Sequence, residues 1–402
     1  MPDRPTTAPS FVARRPFSLG SSSLAVGTCF LTMGFVIYSL MTRLPEIKTA
    51  LALGEQTLGF ALLGLSFGGY LATIGSGFAL QRLGPSRSSG VAVSLVCAGV
   101  VLPSLATGAF VLFLLLLLLG LFDGFLNVAM NATATNLEQA GRVNIMTSCH
   151  GLFSLGGMLG AASSGYFAQN AVPLPTHLLL IGGLLFVLNW LQRRALVRVP
   201  TVGDPGGAGF AWPTRAMWGV CFICFSSSMA EGIITDWTAI YFREDLRTSA
   251  LVAGLAVSLF AGTAAVCRFG GDVVRRRLSA PRMLRFGCLL AGWGLCLMTF
   301  ASSTAWGLAG LVLIAIGNST IVPICYVLGA QTPGVSTAYG IAAVAGIGIL
   351  GFFIGPTYMG YLAEHYGMTV GYAGMAGLLF AAFALSFRLA AAPMGDGVRE
   401  AR

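Results

Sequence analysis

The sequence predicts an all-α polytopic membrane protein: twelve transmembrane helices in two six-helix bundles, with both termini on the cytoplasmic side. Three observations carry that expectation. Hydrophobic residues make up 56% of the chain and charged residues only 9%, whereas a soluble domain carries about 25% charged residues. The 402 residues divide into about a dozen apolar runs of roughly the 20 residues that a bilayer core demands. Of the 23 Lys and Arg, nineteen fall on one alternating set of loops, and only Arg43, Lys48, Arg243 and Arg247 on the other. That asymmetry is the positive-inside pattern. It also gives the net charge of +9 a topological meaning and excludes a nucleic-acid partner.

In chain order, the runs bounded by Arg, Pro or polar clusters fall at about 20–42, 57–79, 88–107, 109–131, 145–168 and 176–195. A second set follows at 215–239, 250–271, 283–302, 305–329, 337–362 and 369–389. The longest interruption, RRALVRVPTVGDPGGAGFAWPTR, is rich in Gly, Pro and Arg and separates the two sets. The expected organisation is a cytoplasmic tail over 1–19, a bundle over 20–195, a cytoplasmic linker over 196–214, a second bundle over 215–389 and a tail over 390–402. Internal similarity points to a duplication. Cys149-His150-Gly151 leading to Gly156-Gly157 echoes Ala338-Tyr339-Gly340 leading to Ala345-Gly346, and aligning Gly59 with Gly254 offsets the halves by 195. Two related six-helix halves place a binding site near mid-membrane between them.

The nine cysteines are scattered through apolar runs. Cys221 and Cys224 form a CxxC one helical turn apart without a second pair or a nearby His, so buried reduced thiols are expected and a metal site is not. His177 and His365 fall in outer loops and read as solvated. No Walker loop, HExxH or GxSxG is present, which leaves ATP-driven transport and hydrolase chemistry without their parts. The chain is not expected to be an enzyme.

An ionisable side chain at membrane depth costs about 2.5–3.5 kcal/mol on insertion scales and reads as functional by default. Asp123 and His150 lie in apolar helices joined by a short polar loop. If the fourth helix ends near 131, both sit roughly 8–11 Å inside the inner boundary at 1.5 Å per residue, close enough to meet and exchange a proton. Asn127 and Asn131 follow Asp123 on the same face and can hydrogen-bond a polar solute or a neighbouring helix. Glu231, about fifteen residues into the seventh run and so in its outer half, is the acid of the opposite bundle. Under the 195-residue offset Arg43 is level with Thr238, so an Arg43–Asp236 bridge could close the outer gate. Trp237 beside it could be an interfacial anchor. Tyr38, Asn318 and Tyr339 are candidate lining groups, and the Asn318–Pro323 and Gly351-x-x-x-Gly355-Pro356 segments should break helices ten and eleven.

The loop GFALQRLGPSR over 77–87 resembles the G-x-x-x-D-R-x-G-R-[RK] signature of the major facilitator superfamily, with Gln81 where that family has Asp. Longer blocks resemble its YbjJ-like branch, related to rhizopine and fucose permeases. They are Thr42-Arg43-x-Pro45, His150-Gly151-x-x-Ser154-Leu155-Gly156, Glu231-Gly232-x-x-x-Asp236-Trp237, Arg268, Gly355-Pro356 and Gly360-Tyr361-Leu362-Ala363-Glu364-His365. In that branch helix four resembles G-x-x-N-G-x-x-[DE]-V-A-x-N. Here acid and amide are exchanged, with Asp123 in the amide's place and Asn127 in the acid's. The resemblance implies a monomeric carrier in the cell membrane that works by rocking of two bundles and takes its energy from a proton gradient rather than a cofactor. It also implies inner-gate roles for Arg82 and for Arg268 paired with Asp272. The expected function is proton-coupled symport of a small sugar-, polyol- or inositol-amine-like solute. The alternative is a proton-driven exporter of a drug or metabolite. Antiporters of the superfamily usually carry Gly-Pro in helix five, which is absent from GLFSLGGMLGAASSG.

Overall fold

The computed structural model describes residues 21–141, 145–201, 211–275 and 278–389, the side chains of 271–275 excepted. The expected tails over 1–19 and 390–402, and much of the 196–214 linker, therefore lie outside the described residues. The first half contains α1 (Ser22–Thr42), α2 (Leu44–Ala50), α3 (Glu55–Leu83), α4 (Pro85–Gly99), α5 (Ala109–Gly141), α6 (Met146–Gln169) and α7 (Leu174–Val197). The second contains α8 (Trp218–Glu244), α9 (Ala250–Arg275), α10 (Ala280–Thr299), α11 (Thr304–Asn318), α12 (Ile321–Ala330), α13 (Thr337–Tyr366) and α14 (Met368–Ser386).

Ten spans are long and apolar enough to cross a membrane by length and composition, with α11 and α12 counted as one interrupted span. The two remaining long helices are α6 and α10, of 24 and 20 residues. Each gives up hydropathy for a reason. The α6 sequence is dense in Gly and Ser and buries that face, and α10 opens on Arg282 and Arg285. Together they bring the spans among the described residues to the expected twelve.

The duplication is visible in the helix starts. Glu55 and Ala250, Pro85 and Ala280, and Ala109 and Thr304 each lie 195 positions apart. The echo between Cys149 and Ala338 has an offset of 189 and is six positions out of this register. The halves differ at one place. Where α8 continues unbroken to Glu244, the first half stops at Thr42 and restarts as α2, with Pro45 in its first turn. Proline is tolerated there because a helix's first N–H groups have no partner to lose.

Two seams join the bundles, α3 against α13 and α6 against α9. Both close on glycine. A Cβ on Gly254 would come within 2.5 Å of the Gly165 Cα, and one on Gly360 within 3.1 Å of the Gly59 Cα. Gly59 and Gly254, like Gly165 and Gly360, are 195 apart, so the two seams are the same contact made twice.

Helix α13 does not break at Gly355-Pro356 as expected; it runs continuously through Pro356. Proline cannot donate to the carbonyl four residues back, here that of Phe352. The Ser66 hydroxyl of α3 donates to that carbonyl across the seam at 3.1 Å. The other expected break is present, since α11 ends at Asn318 and α12 begins at Ile321.

Among the described residues, every hydrogen bond, ion pair and glycine approach between the bundles lies between the Arg-poor face and the level of Gly151 and Phe269. Towards the Arg-rich face, Leu71, Ile74 and Phe78 of α3 and Tyr339 and Ile341 of α13 are exposed. The bundles thus meet at the Arg-poor end and part at the Arg-rich end.

Candidate functional site

Glu231 is the fourteenth of the 27 residues of α8. It stands at the midpoint of the span, and not in the outer half as its position in the sequence suggested, because α8 runs on to Glu244. Its Oε1 accepts from Arg268 Nη2 of α9 at 2.9 Å, with both side chains under one-fifth exposed. The second guanidinium nitrogen, Nη1, donates to the Ser154 hydroxyl of α6, in the other bundle, at 2.5 Å. On the opposite side, the Asn318 amide donates to Glu231 Oε2 at 3.5 Å and its oxygen accepts from Ser227 at 2.6 Å. The break after α11 places Asn318 there. Five side chains from four helices therefore form one chain of polar contacts, and it crosses between the bundles.

Arg268 was expected to pair with Asp272 at the inner gate. The long arginine side chain instead reaches to mid-span and takes Glu231, and the Asp272 side chain lies outside the description. Arg82, the other inner-gate candidate, stacks over the Phe78 ring at 4.1 Å.

No hydrogen bond or ion pair joins Asp123 to His150. The reason is helix length. The α5 helix ends at Gly141 and not near 131, because the polar stretch after Asn131 keeps its helical hydrogen bonds outside the apolar zone. Glu138 then accepts from the backbone N–H groups of Ile145 and Met146 and caps the start of α6. Asp123 is eighteen residues from the Gly141 end and His150 four residues from Met146, about 27 and 6 Å along the axes. His150 is exposed and meets Phe30 edge-on, with ring centroids 5.2 Å apart. Asp123 Oδ1 is buried with no hydrogen-bond partner. Asp123 and Asn318 are 195 apart, so the unpaired acid occupies in one bundle the position of the paired amide in the other. Asn127 is exposed and accepts from the Asn131 amide at 2.7 Å.

Tyr38 is buried, edge-on to Phe153. Tyr339 is exposed and donates to the Trp212 carbonyl at 2.6 Å.

Arg43 does not bridge to Asp236. It is 1% exposed and stays within its own bundle, bonded to Glu46, to the Val172 carbonyl and, at 3.3 Å, to His177 Nδ1. The break after α1 turns Arg43 back towards α7, which explains the change of partner. His177 is fully buried in the first turn of α7 and not solvated; His365 is exposed, as expected. Trp237 is fully buried and is not an interfacial anchor. An outer ion pair between the bundles is made by Lys48 of α2, which donates to Glu55 of its own bundle and to Glu244 of α8, both at 2.6 Å. Sequence reading missed this pair of bridges, although a lone lysine on the Arg-poor side was its signal. It gave no role to Ser154, which stands only within a resembling block, or to Ser227, because a serine in an apolar helix has no pattern of its own.

Helices of spanning length, two bundles related by duplication and a polar contact chain between them define a carrier. Residues 24–346 match the Major Facilitator Superfamily, and the chain belongs to that family. It is a multi-pass membrane transporter and not an enzyme. An MFS-type transporter of Yersinia pestis described as uncharacterized is 26% identical over 369 residues, covering 92% of this chain and 95% of that one. The membrane protein MosC of Rhizobium meliloti is 27% identical over 345 residues, covering 86% and 84%. Among solved structures, the nucleoside transporter NupG aligns with a TM-score of 0.72 at 11% identity, covering 92% of this chain and 99% of that one. The E. coli fucose:proton symporter FucP aligns at 0.64 and 16% identity, covering 91% and 98%. Both likenesses concern the fold.

Proposed function

We propose that the chain is a proton-coupled symporter, of the branch that includes the MosC-like membrane proteins, which takes up a small sugar-, polyol- or inositol-amine-like solute. The Arg-rich face is the cytoplasmic one, and the arrangement with the bundles parted there is the inward-facing state of a monomer in the cell membrane. The observation that carries the reading is the Glu231–Arg268 pair at mid-span, bonded to both bundles. A carboxylate there can exchange its arginine partner for a proton or for a hydroxyl-bearing solute, and either exchange changes a contact that the rocking motion must break. Asp123, with its unpartnered oxygen, is the second candidate proton carrier. The neighbouring Asn318, Ser227 and Tyr38 supply neutral donors and acceptors suited to hydroxyl groups. An α6 helix without proline favours uptake over exchange.

Thermal-shift screening of the purified protein against hexoses, inositols, amino-inositols and nucleosides would identify the solute. In proteoliposomes, Asp123→Asn and Glu231→Gln should each abolish proton-driven accumulation while counterflow continues at a reduced rate. Unchanged accumulation in both variants would remove the proton assignment.

A further inference from the structure

Arg268 is the only group in the central contact chain that holds both bundles at once. Its two terminal nitrogens are divided between them, Nη2 on Glu231 of α8 and Nη1 on Ser154 of α6. The serine bond can exist only while α6 lies against α9. That seam is held towards the Arg-poor face by the Gly165–Gly254 approach and by Ser258 donating to the Met158 carbonyl at 2.9 Å, and below Ser154 by Gly151 against the Phe269 ring. We infer that Ser154 is a positioning residue: its hydroxyl orients the Arg268 guanidinium onto Glu231 while the α6–α9 seam is closed at this depth, and releases it when the seam parts.

The inference rests on the proton-coupled reading of Glu231 and gives it a switch. A guanidinium fixed in two directions presents a full counter-charge to the carboxylate, and charge-assisted bonds of this kind depend strongly on geometry. With the serine withdrawn, one N–H is left unpaired in a buried position. The side chain then reorients to satisfy it, and Glu231 loses part of its counter-charge. The counter-charge on Glu231 is thereby complete in the seam-closed arrangement and partial in the seam-open one. The proton goes to the carboxylate, and the arginine keeps its charge throughout. Titratable groups within electrostatic range of the pair, among the described residues, include His150 on α6, Tyr38 on α1 and Tyr326 on α12. Among the described residues none of these is hydrogen-bonded to Arg268 or Glu231, so the serine alone supplies the geometric link between the seam and the pair.

The test uses the full-length protein in nanodiscs with no added solute, the proton itself being the probe. Hydrogen–deuterium exchange of α6 and α9 peptides is followed across a pH series and corrected for intrinsic exchange. Wild type should show a pH-dependent transition. Ser154→Ala should move its midpoint to higher pH by about one unit, the scale of one lost charge-assisted bond, and Ser154→Thr, which keeps the hydroxyl, should restore the wild-type midpoint. Ser258→Ala removes a different hydrogen bond from the same seam, one that does not touch Arg268, and should move the midpoint by clearly less than Ser154→Ala does. A wild-type midpoint in Ser154→Ala, or an equal shift in Ser258→Ala, overturns the positioning role while leaving Glu231 as the proton site. A transition that persists unchanged in Glu231→Gln overturns the proton reading and this inference together.

Discussion

Lys48 shows what a single residue contributes at the Arg-poor face. Burial alone would lower its proton affinity, but hydrogen bonds to Glu244 and Glu55 more than offset this and hold its pKa above the ordinary lysine value. A raised lysine pKa means that the charged contact is fully present below about pH 10.4 and is lost only as pH climbs through the higher folded value. Around neutrality this contact therefore does not titrate from the lysine side. Lys48→Met should shift the equilibrium away from the seam-closed arrangement by about 1.4- to five-fold, since the one partly exposed pair that crosses between the bundles, Lys48–Glu244, is worth ~0.2–1 kcal/mol, and Lys48→Arg should restore it. The readout is exchange of α2 and the end of α8. Asp245 provides the opposite case. Burial, together with Glu244 and Glu55, raises its pKa, so its ionised form is a cost above that pKa and the cost is relieved as pH falls through it. Asp245→Asn should therefore slow the same exchange at neutral pH, by an amount that shrinks as the sample is acidified.

At the scale of helices, glycine has two different uses, and substitution separates them. Within the first bundle, α3 and α5 pack backbone to backbone, and a Cβ on Gly120 would lie 2.1 Å from the Leu65 carbonyl oxygen. That contact is permanent, so Gly120→Leu should destabilise the fold by about 1–3 kcal/mol or more, as overpacking does, and lower the melting temperature in detergent. Between the bundles, Gly254 meets Gly165 across the closed seam, a contact that a rocking motion would part. Gly254→Leu should leave the melting temperature near wild type and raise exchange along α9, because the clash can be relieved by moving to the other arrangement. A melting loss equal to that of Gly120→Leu would show the seam to be a fixed part of the fold.

The helices themselves were legible in the sequence, since hydropathy and the arginine bias follow directly from the solvent. Depth was not. The α5 helix outlasts its apolar run by about ten residues, and that error alone placed Asp123 beside His150. Glu231 and Asp123 stood out because an acid in an apolar helix is rare. Their partners did not, since the reach of an arginine and the role of a serine depend on which helices are neighbours. The Arg43–His177 contact was hidden for the same reason, with 134 residues between the two.

Over the whole molecule, the two seams share their glycines but not their chemistry. At 195 positions from Glu231, Arg268 and Ser154 stand Val36, Thr73 and Ile349, and at the same distance from Lys48 and Glu244 stand Arg243 and Thr49. The α6–α9 seam carries the charged tie. The α3–α13 seam has instead Ser66 on the Phe352 carbonyl, Phe67 against Phe353 with ring centroids 6.2 Å apart and, at its outer end, the Glu364 carboxylate accepting from the Gln56 N–H; among the described residues no arginine ties it. The consequence is historical as well as mechanical. Two identical bundles joined as a symmetric dimer could have formed both glycine seams, since such an interface presents the same patch from each copy. They could not have formed a tie that exists on one side only. The steric hinge is thus what duplication of an ancestral half provides, and the charges are what divergence between the halves added. The descendant is a carrier whose two flanks share a steric design but differ in the polar groups that tie them.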